Sequence, residues 1–217
     1  MIAGVPGVRF QVAGFKFQVS SNKPGQPYPN SKPETRTHPM TREFEDIERR
    51  AGRIKLLLMD CDGVLTDGRL TLLENGDEQK TFNVRDGHGI VLLHRAGLKT
   101  GIISGRKSSA TERRAQDLGI SYVVQNSLDK IKDFEELLAS IDIPESQVAF
   151  IGDDVTDIPL MQRVELAVAV ADAVEETRNA AHCVTAASGG YGAVREVAEL
   201  ILKAQGRWTE LMARYIK

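Results

Sequence analysis

The chain is poor in cysteine, in aromatic residues and in net charge, and it has no long apolar run. Its two cysteines, Cys61 and Cys183, cannot supply a disulfide framework, which makes a reducing compartment the default expectation. Lysine and arginine (28) nearly balance aspartate and glutamate (30), so bulk electrostatics give no reason to expect nucleic acid or a membrane surface as partner. No apolar stretch reaches the roughly 18 residues a spanning helix needs. What remains is a chain of 217 residues, long enough for one α/β domain with a proper core.

The most informative stretch is Asp60-Cys61-Asp62-Gly63-Val64-Leu65-Thr66-Asp67. It follows Ile54-Lys55-Leu56-Leu57-Leu58-Met59, which reads as a buried parallel strand. Two carboxylates one residue apart then stand at a strand's carboxyl end, the usual ligand-binding edge of an open α/β sheet. Strand alternation aims Asp60 and Asp62 the same way, and Gly63 lets the chain turn off sharply. Such a pair suits holding a hard cation and attacking a phosphate. An EF-hand is excluded, because Val64 follows the glycine and no glutamate closes a twelve-residue loop. Cys61 points to the opposite face and reads as core packing rather than redox chemistry.

Residues 1–40 read as a flexible or disordered extension, or as a translation start placed too early. A loose alternation from Val8 to Val19 gives a weak strand or hairpin signal. Pro24, Pro27, Pro29, Pro33 and Pro39 then mark a tether. The segment lacks the basic start and apolar stretch of a secretory signal. Thr41 is placed to N-cap a charged helix reaching about Arg50. From residue 54 the pattern alternates: strands at 101–104, 120–124, 148–151 and 166–170, helices through Leu118, over 130–140 and over 174–180. Repeated units of this kind predict a doubly wound, Rossmann-like parallel sheet for residues 41–217. Between the first two units, Arg69–Leu73 and Glu78–Phe82 predict a β-hairpin turning at Asn75-Gly76.

Three further spots fall at strand ends or helix starts. Ser104 offers either a hydroxyl for an anion or a helix N-cap. Lys130 begins a helix, where the dipole disfavours a cation, so it reads as reaching for an anion unless it is simply solvated. Asp153, Asp154 and Asp157 repel one another without a cation or hydrogen bonds, which favours a metal site over a solvated turn.

The order Asp60-x-Asp62-Gly-Val-Leu-Thr, Ser104, Lys130 and Gly152-Asp153-Asp154-x-x-Asp157 resembles the four motifs of the haloacid dehalogenase superfamily of phosphohydrolases. Asn83-Val84-Arg85-Asp86-Gly87, Ile103-Ser104-Gly105-Arg106, Val168–Ala173 and Gly189–Glu196 extend the resemblance to the sugar-acid phosphatases of its capless branch, over about residues 42 to 207. The resemblance implies Asp60 as nucleophile, Asp62 as general acid and base, and Ser104 and Lys130 as ligands of the phosphoryl oxygens. It implies Mg²⁺ held by Asp60, Asp153 and the backbone carbonyl of Asp62, with Asp154 or Asp157 in support. Asn83, Val84, Arg85, Asp86, Gly87, Arg106 and Arg114 match its substrate segment and basic positions, Arg114 otherwise reading as a solvated helix residue. Val91 departs from it, since some members have an arginine there.

There is no room for a cap domain, so the resemblance implies a homotetramer in which the hairpins form a barrel and neighbours close each other's pockets. The tail Gly189–Gly192 either reaches over an adjacent subunit's site or is a flexible loop before a last helix, 193–205. The implied activity is cytoplasmic hydrolysis of an eight-carbon sugar-acid phosphate, supplying a lipopolysaccharide precursor. The alternatives are a nine-carbon sugar-acid 9-phosphate as substrate, or a catalytically inactive tetrameric scaffold. A signalling receiver domain is disfavoured, because its phosphorylated aspartate lies on a later strand.

Overall fold

The computed structural model describes residues 9–12, 15–18, 39–74 and 77–216. In chain order the strands are β1 (Arg9–Val12), β2 (Phe15–Gln18), β3 (Leu56–Met59), β4 (Thr71–Leu72), β5 (Glu78–Gln79), β6 (Lys99–Ser104), β7 (Tyr122–Gln125), β8 (Val148–Gly152), β9 (Leu166–Ala169) and β10 (Cys183–Val184). The helices are α1 (Pro39–Ala51), α2 (Val84–Arg95), α3 (Ser109–Leu118), α4 (Lys130–Ser140), α5 (Ile158–Met161), α6 (Glu175–Ala180), α7 (Ala193–Ala204) and α8 (Trp208–Met212).

Among the described residues the main sheet runs β1-β2-β10-β9-β8-β3-β6-β7, and its six strands from β10 to β7 are parallel. From β3 the chain winds outward through β6 and β7, then returns to the other side of β3 for β8, β9 and β10. The carboxyl end of β3 is therefore the topological switch point, where an open α/β sheet leaves a crevice. Helices flank the sheet in two groups, α1 and α2 packed on α7, and α4 and α6 packed on α5. The doubly wound expectation holds. Every residue of β3 is fully buried, and each such Leu or Met contributes about 1.5–3 kcal/mol over an exposed one.

Several boundaries differ from the sequence reading. Helix α1 starts at Pro39, so Thr41 lies inside it and is not the cap; proline's fixed φ suits a first helical turn. The weak hairpin signal corresponds to β1 and β2, paired antiparallel, with Gln18 opposite Val184 at the sheet edge. The Pro-rich stretch 22–38 lies outside the described residues. The predicted second hairpin pairs only Thr71 with Gln79 and Leu72 with Glu78, and its Asn75-Gly76 turn also lies outside them. Helix α8 was not anticipated. It is tied to α7 by Trp208, whose ring lies 5.5 Å from the Arg195 guanidinium and 5.0 Å from the Lys203 ammonium. Both cysteines are buried and free.

One edge of the core carries a pH-sensitive contact. His182 Nδ1 accepts the Ala167 N–H at 2.8 Å, which requires an unprotonated Nδ1. Burial, then the nearby Arg50, hold the ring below the ordinary histidine range, while Asp46 and Glu165 oppose the shift. The unfolded chain takes up the proton more readily, near its ordinary value of about 6.5. This contribution is therefore present above that value and lost as pH falls through the lower folded value. His182→Asn keeps an acceptor that does not titrate. Its urea midpoint should drop less than the parent's between about pH 7.5 and 5, and equal drops would clear His182 of the effect.

Candidate active site

Asp60 immediately follows β3, and its backbone N–H donates to Ile151 O at 3.0 Å, fixing it to the end of β8. Asp153 follows β8, and Asp157 lies in the next turn. Oxygens of Asp60, Asp153 and Asp157 all fall within 4.8 Å of one another. Gly152 and Gly63 make this approach possible. A Cβ on Gly152 would meet the Asp157 side chain at 2.6 Å, and one on Gly63, at φ +92°, would meet Asp153 Oδ2 at 2.1 Å.

Lys130 reaches into the same cluster from the first residue of α4. Its ammonium donates to Asp60 Oδ1 at 2.9 Å and to Asp157 Oδ1 at 2.6 Å, and the side chain is 8% exposed. Asp129 caps α4 by accepting from the Ile131 and Lys132 N–H groups, so the helix start is secured without Lys130. Burial works against the ammonium, yet Asp60 and Asp157 hold Lys130 above its ordinary range. Lys130 is thus a cluster residue and not a solvated lysine.

One ammonium does not balance three carboxylates. Burial raises Asp60, more than the pull of Lys130 lowers it. Asp153 is pushed up to about 8, by burial first and then by Asp60, Asp157 and Asp154. Asp157 is already committed: Oδ1 accepts from Lys130, while Oδ2 accepts the N–H groups of Asp153 at 2.9 Å and Asp154 at 3.3 Å. It orients Asp153 and leaves Asp60 and Asp153 to face a cation. An all-oxygen, partly buried donor set with surplus negative charge fits a hard divalent ion. The soft donor Cys61 is turned away, 3.3 Å from Thr111 Oγ1, and burial pushes its thiol up to about 12.

Ser104 ends β6, next to β3 in the sheet, and is buried. It is not a helix cap; Ser108 holds that position for α3. Asp62 sits apart from the carboxylate trio. Its Oδ1 is held by the Lys80 ammonium, and Arg106 Nε lies 3.8 Å from Oδ2. Arg106 in turn pairs with Glu78. Lys80 and Glu78, both from the hairpin, were missed by sequence reading. The strand there, β5, is too short for alternation to have signalled them.

The predicted substrate segment divides. Asn83 Oδ1 caps α2 by accepting from Arg85 N at 2.8 Å, and its Nδ2 donates to Gly190 O at 3.1 Å. Val84 and Arg85 are exposed at the helix start. Gly87 makes room for Arg114, whose guanidinium would strike a Cβ there at 2.3 Å and sits 5.9 Å from the Phe82 ring. Arg114 is therefore not a solvated surface residue. Asp86, expected in the substrate segment, is placed facing the start of α7. It is 1% exposed, and its oxygens accept the N–H groups of Gly192 at 3.1 Å and Arg195 at 2.8 Å, holding the start of α7.

The Gly189–Gly192 tail packs on its own chain. Gly190 N donates to Val64 O at 2.9 Å, and Gly189 N to Asp172 Oδ1 at 2.9 Å. A Cβ on Gly189 would overlap Gly63 O at 1.6 Å, so only glycine allows this approach. The segment is a strap across the turn after β3 and not a loose loop.

With an acidic trio and a lysine meeting at the switch point and a buried hydroxyl ending the neighbouring strand, the site is that of a phosphoryl-transfer enzyme of the α/β class. The family model for haloacid dehalogenase-like hydrolase matches residues 120–196. The 3-deoxy-D-manno-octulosonate 8-phosphate phosphatase KdsC of Yersinia pestis is 47% identical over 163 residues, which cover 75% of this chain and 87% of that protein. The crystal structure of the phosphatase of the same name from Moraxella catarrhalis, in complex with magnesium, phosphate and KDO, is similar at a TM-score of 0.77 and 39% identity. That match covers 79% of this chain and 98% of the other. A probable YrbI family phosphatase from Pseudomonas syringae matches at a TM-score of 0.78 and 47% identity, covering 80% and 98%. The chain belongs to the 3-deoxy-D-manno-octulosonate 8-phosphate phosphatase family of haloacid dehalogenase-like hydrolases, and is a phosphatase.

Proposed function

We propose that this phosphatase releases phosphate from 3-deoxy-D-manno-octulosonate 8-phosphate with Mg²⁺ as its cofactor. The observation that carries this reading is the 47% identity to a phosphatase of that name, in a chain whose acidic trio and lysine converge at the switch point. Asp60, Asp153 and the backbone carbonyl of Asp62 would hold Mg²⁺, which when bound offsets repulsion between carboxylate and phosphate. Asp157 supports Asp153 through the hydrogen bonds described above.

Asp60 is the nucleophile. One of its oxygens attacks phosphorus, the bond from phosphorus to the sugar oxygen breaks, and that oxygen takes a proton from Asp62. In the return step water attacks the aspartyl-phosphate and gives its proton to Asp62, freeing phosphate and Asp60. Lys130 and the Ser104 hydroxyl stabilise charge on the phosphoryl oxygens. The substrate carboxylate is met by Arg106 and Arg114, whose planar forks suit bidentate pairing, with Asn83, Val84, Arg85 and Gly87 along its path. Val91 provides no cation there.

Among the described residues no domain caps the site, and we infer a homotetramer in which neighbours cover one another's pockets. The exposed Leu70, Leu72 and Leu73 of the hairpin support that reading. No helix among the described residues is long and apolar enough to cross a membrane. A cytoplasmic enzyme supplying a lipopolysaccharide precursor is the setting we propose.

The test is phosphate release with Mg²⁺ from 3-deoxy-D-manno-octulosonate 8-phosphate, from a nine-carbon sugar-acid 9-phosphate and from p-nitrophenyl phosphate. Preference for the eight-carbon substrate is expected. Preference for the nine-carbon acid would overturn the substrate assignment, and no turnover of any ester would favour an inactive scaffold.

A further inference from the structure

Lys80 is a buried cation that the proposed mechanism leaves without a role. Its side chain is 2% exposed, although it comes from a hairpin of only two paired residues per strand. Burying an ammonium is costly unless carboxylates compensate it. Two do: Asp62 Oδ1 accepts from Nζ, and Glu78 Oε2 lies 3.6 Å away. The Asp62 oxygens are therefore not equivalent. Oδ1 is held, whereas Oδ2 is buried without a hydrogen bond and has only Arg106 Nε near, at 3.8 Å. The Arg106 side chain is 46% exposed and secured to Glu78, so it does not clamp Oδ2 as Lys80 clamps Oδ1.

We propose that Lys80 is the positioning residue of Asp62, fixing Oδ1 so that Oδ2 faces the departing oxygen. This rests on the acid and base roles given to Asp62 above. In the first step the proton leaves Asp62 Oδ2 as the phosphorus–oxygen bond to the sugar breaks. In the second, the attacking water returns a proton to the same oxygen. A carboxylate free to rotate presents either oxygen, or neither, at the needed distance. Because Lys80 comes from the hairpin, the hairpin's seating also sets the aim of the acid. Glu78, two residues earlier, joins Asp62, Lys80 and Arg106 in a quartet whose charges balance when Asp62 is the ionised base of the second step.

The test compares Lys80→Met and Lys80→Arg with the parent, all with Mg²⁺, on two substrates. The sugar phosphate has a poor leaving group that needs a proton, whereas p-nitrophenolate departs without one. Lys80→Met should lose about a hundredfold in kcat on 3-deoxy-D-manno-octulosonate 8-phosphate with little change in KM, the lower end of what general acid–base catalysis contributes. The first equivalent of p-nitrophenolate should appear at nearly the parental rate, followed by slowed turnover as the aspartyl-phosphate waits for its base. Lys80→Arg should recover most of kcat.

Parental kcat in Lys80→Met would overturn the proposal. So would an equal loss in the first p-nitrophenolate equivalent, which marks general damage to the site. If Lys80→Met does not fold by circular dichroism, Lys80→Gln replaces it with the same expected loss. A parent enzyme inactive on every ester refutes the function reading itself, whereas an active parent with an unaffected variant refutes only the role of Lys80.

Discussion

Lys130→Met is expected to destabilise the metal-free protein by about 3–5 kcal/mol, the usual cost of leaving a buried charge without its partner. Two carboxylates are affected. Asp60 Oδ1 and Asp157 Oδ1 both accept from this ammonium, and Asp157 is fully buried. The Asp157 oxygen facing Lys130 would lose its donor, while its other oxygen kept the N–H groups of Asp153 and Asp154. Urea unfolding in the presence of a chelator measures the cost, and Mg²⁺ should restore part of it, because a ligand bound only by the folded state stabilises it. Phosphatase activity should be lost with or without that rescue, given the phosphoryl-binding role proposed for Lys130. An unchanged urea midpoint would mean that the carboxylates are neutralised by protonation or by solvent.

Asp60→Asn should lower kcat by roughly four orders of magnitude or more, as loss of a covalent nucleophile does elsewhere. An amide oxygen is a poor nucleophile toward phosphorus, but it can still accept from Lys130. The fold should therefore survive, and its melting temperature without metal should hold or rise. The reason is electrostatic: the substitution removes a charge that burial disfavours and that Asp153 and Asp157 repel. Activity and stability are predicted to move in opposite directions. A mutant that kept activity within tenfold of the parent would sink Asp60 as nucleophile.

Much of the fold and the cluster could be read directly from the chain because the signals were local. Four consecutive apolar residues announced β3, Gly119 closed α3 in the left-handed conformation, and Asp60 and Asp153 stood at strand ends. The charge placed against the helix dipole at Lys130 pointed to partners that the structure supplies. Other roles depended on distant pairings. Asp86 sits in a segment that reads as substrate-binding, yet its partners Gly192 and Arg195 lie more than a hundred residues away. Lys80 lies just beyond a two-residue strand, where alternation is too brief to show which side chain turns inward. Thr41 was misplaced because threonine and proline both mark helix starts, and Pro39 came first.

The strap of Gly189 and Gly190 has a consequence for how the enzyme is made. A ribosome that has delivered the chain through Asp157 has supplied the acidic trio, the lysine and the hydroxyl. The turn from Gly63 to Asp67 still lacks the backbone that lies across it, because Gly189 and Gly190 are translated later. Synthesis thus supplies the reactive groups first and their support only afterwards. An incomplete product released before Gly189 carries the chemistry without the brace that holds its central turn.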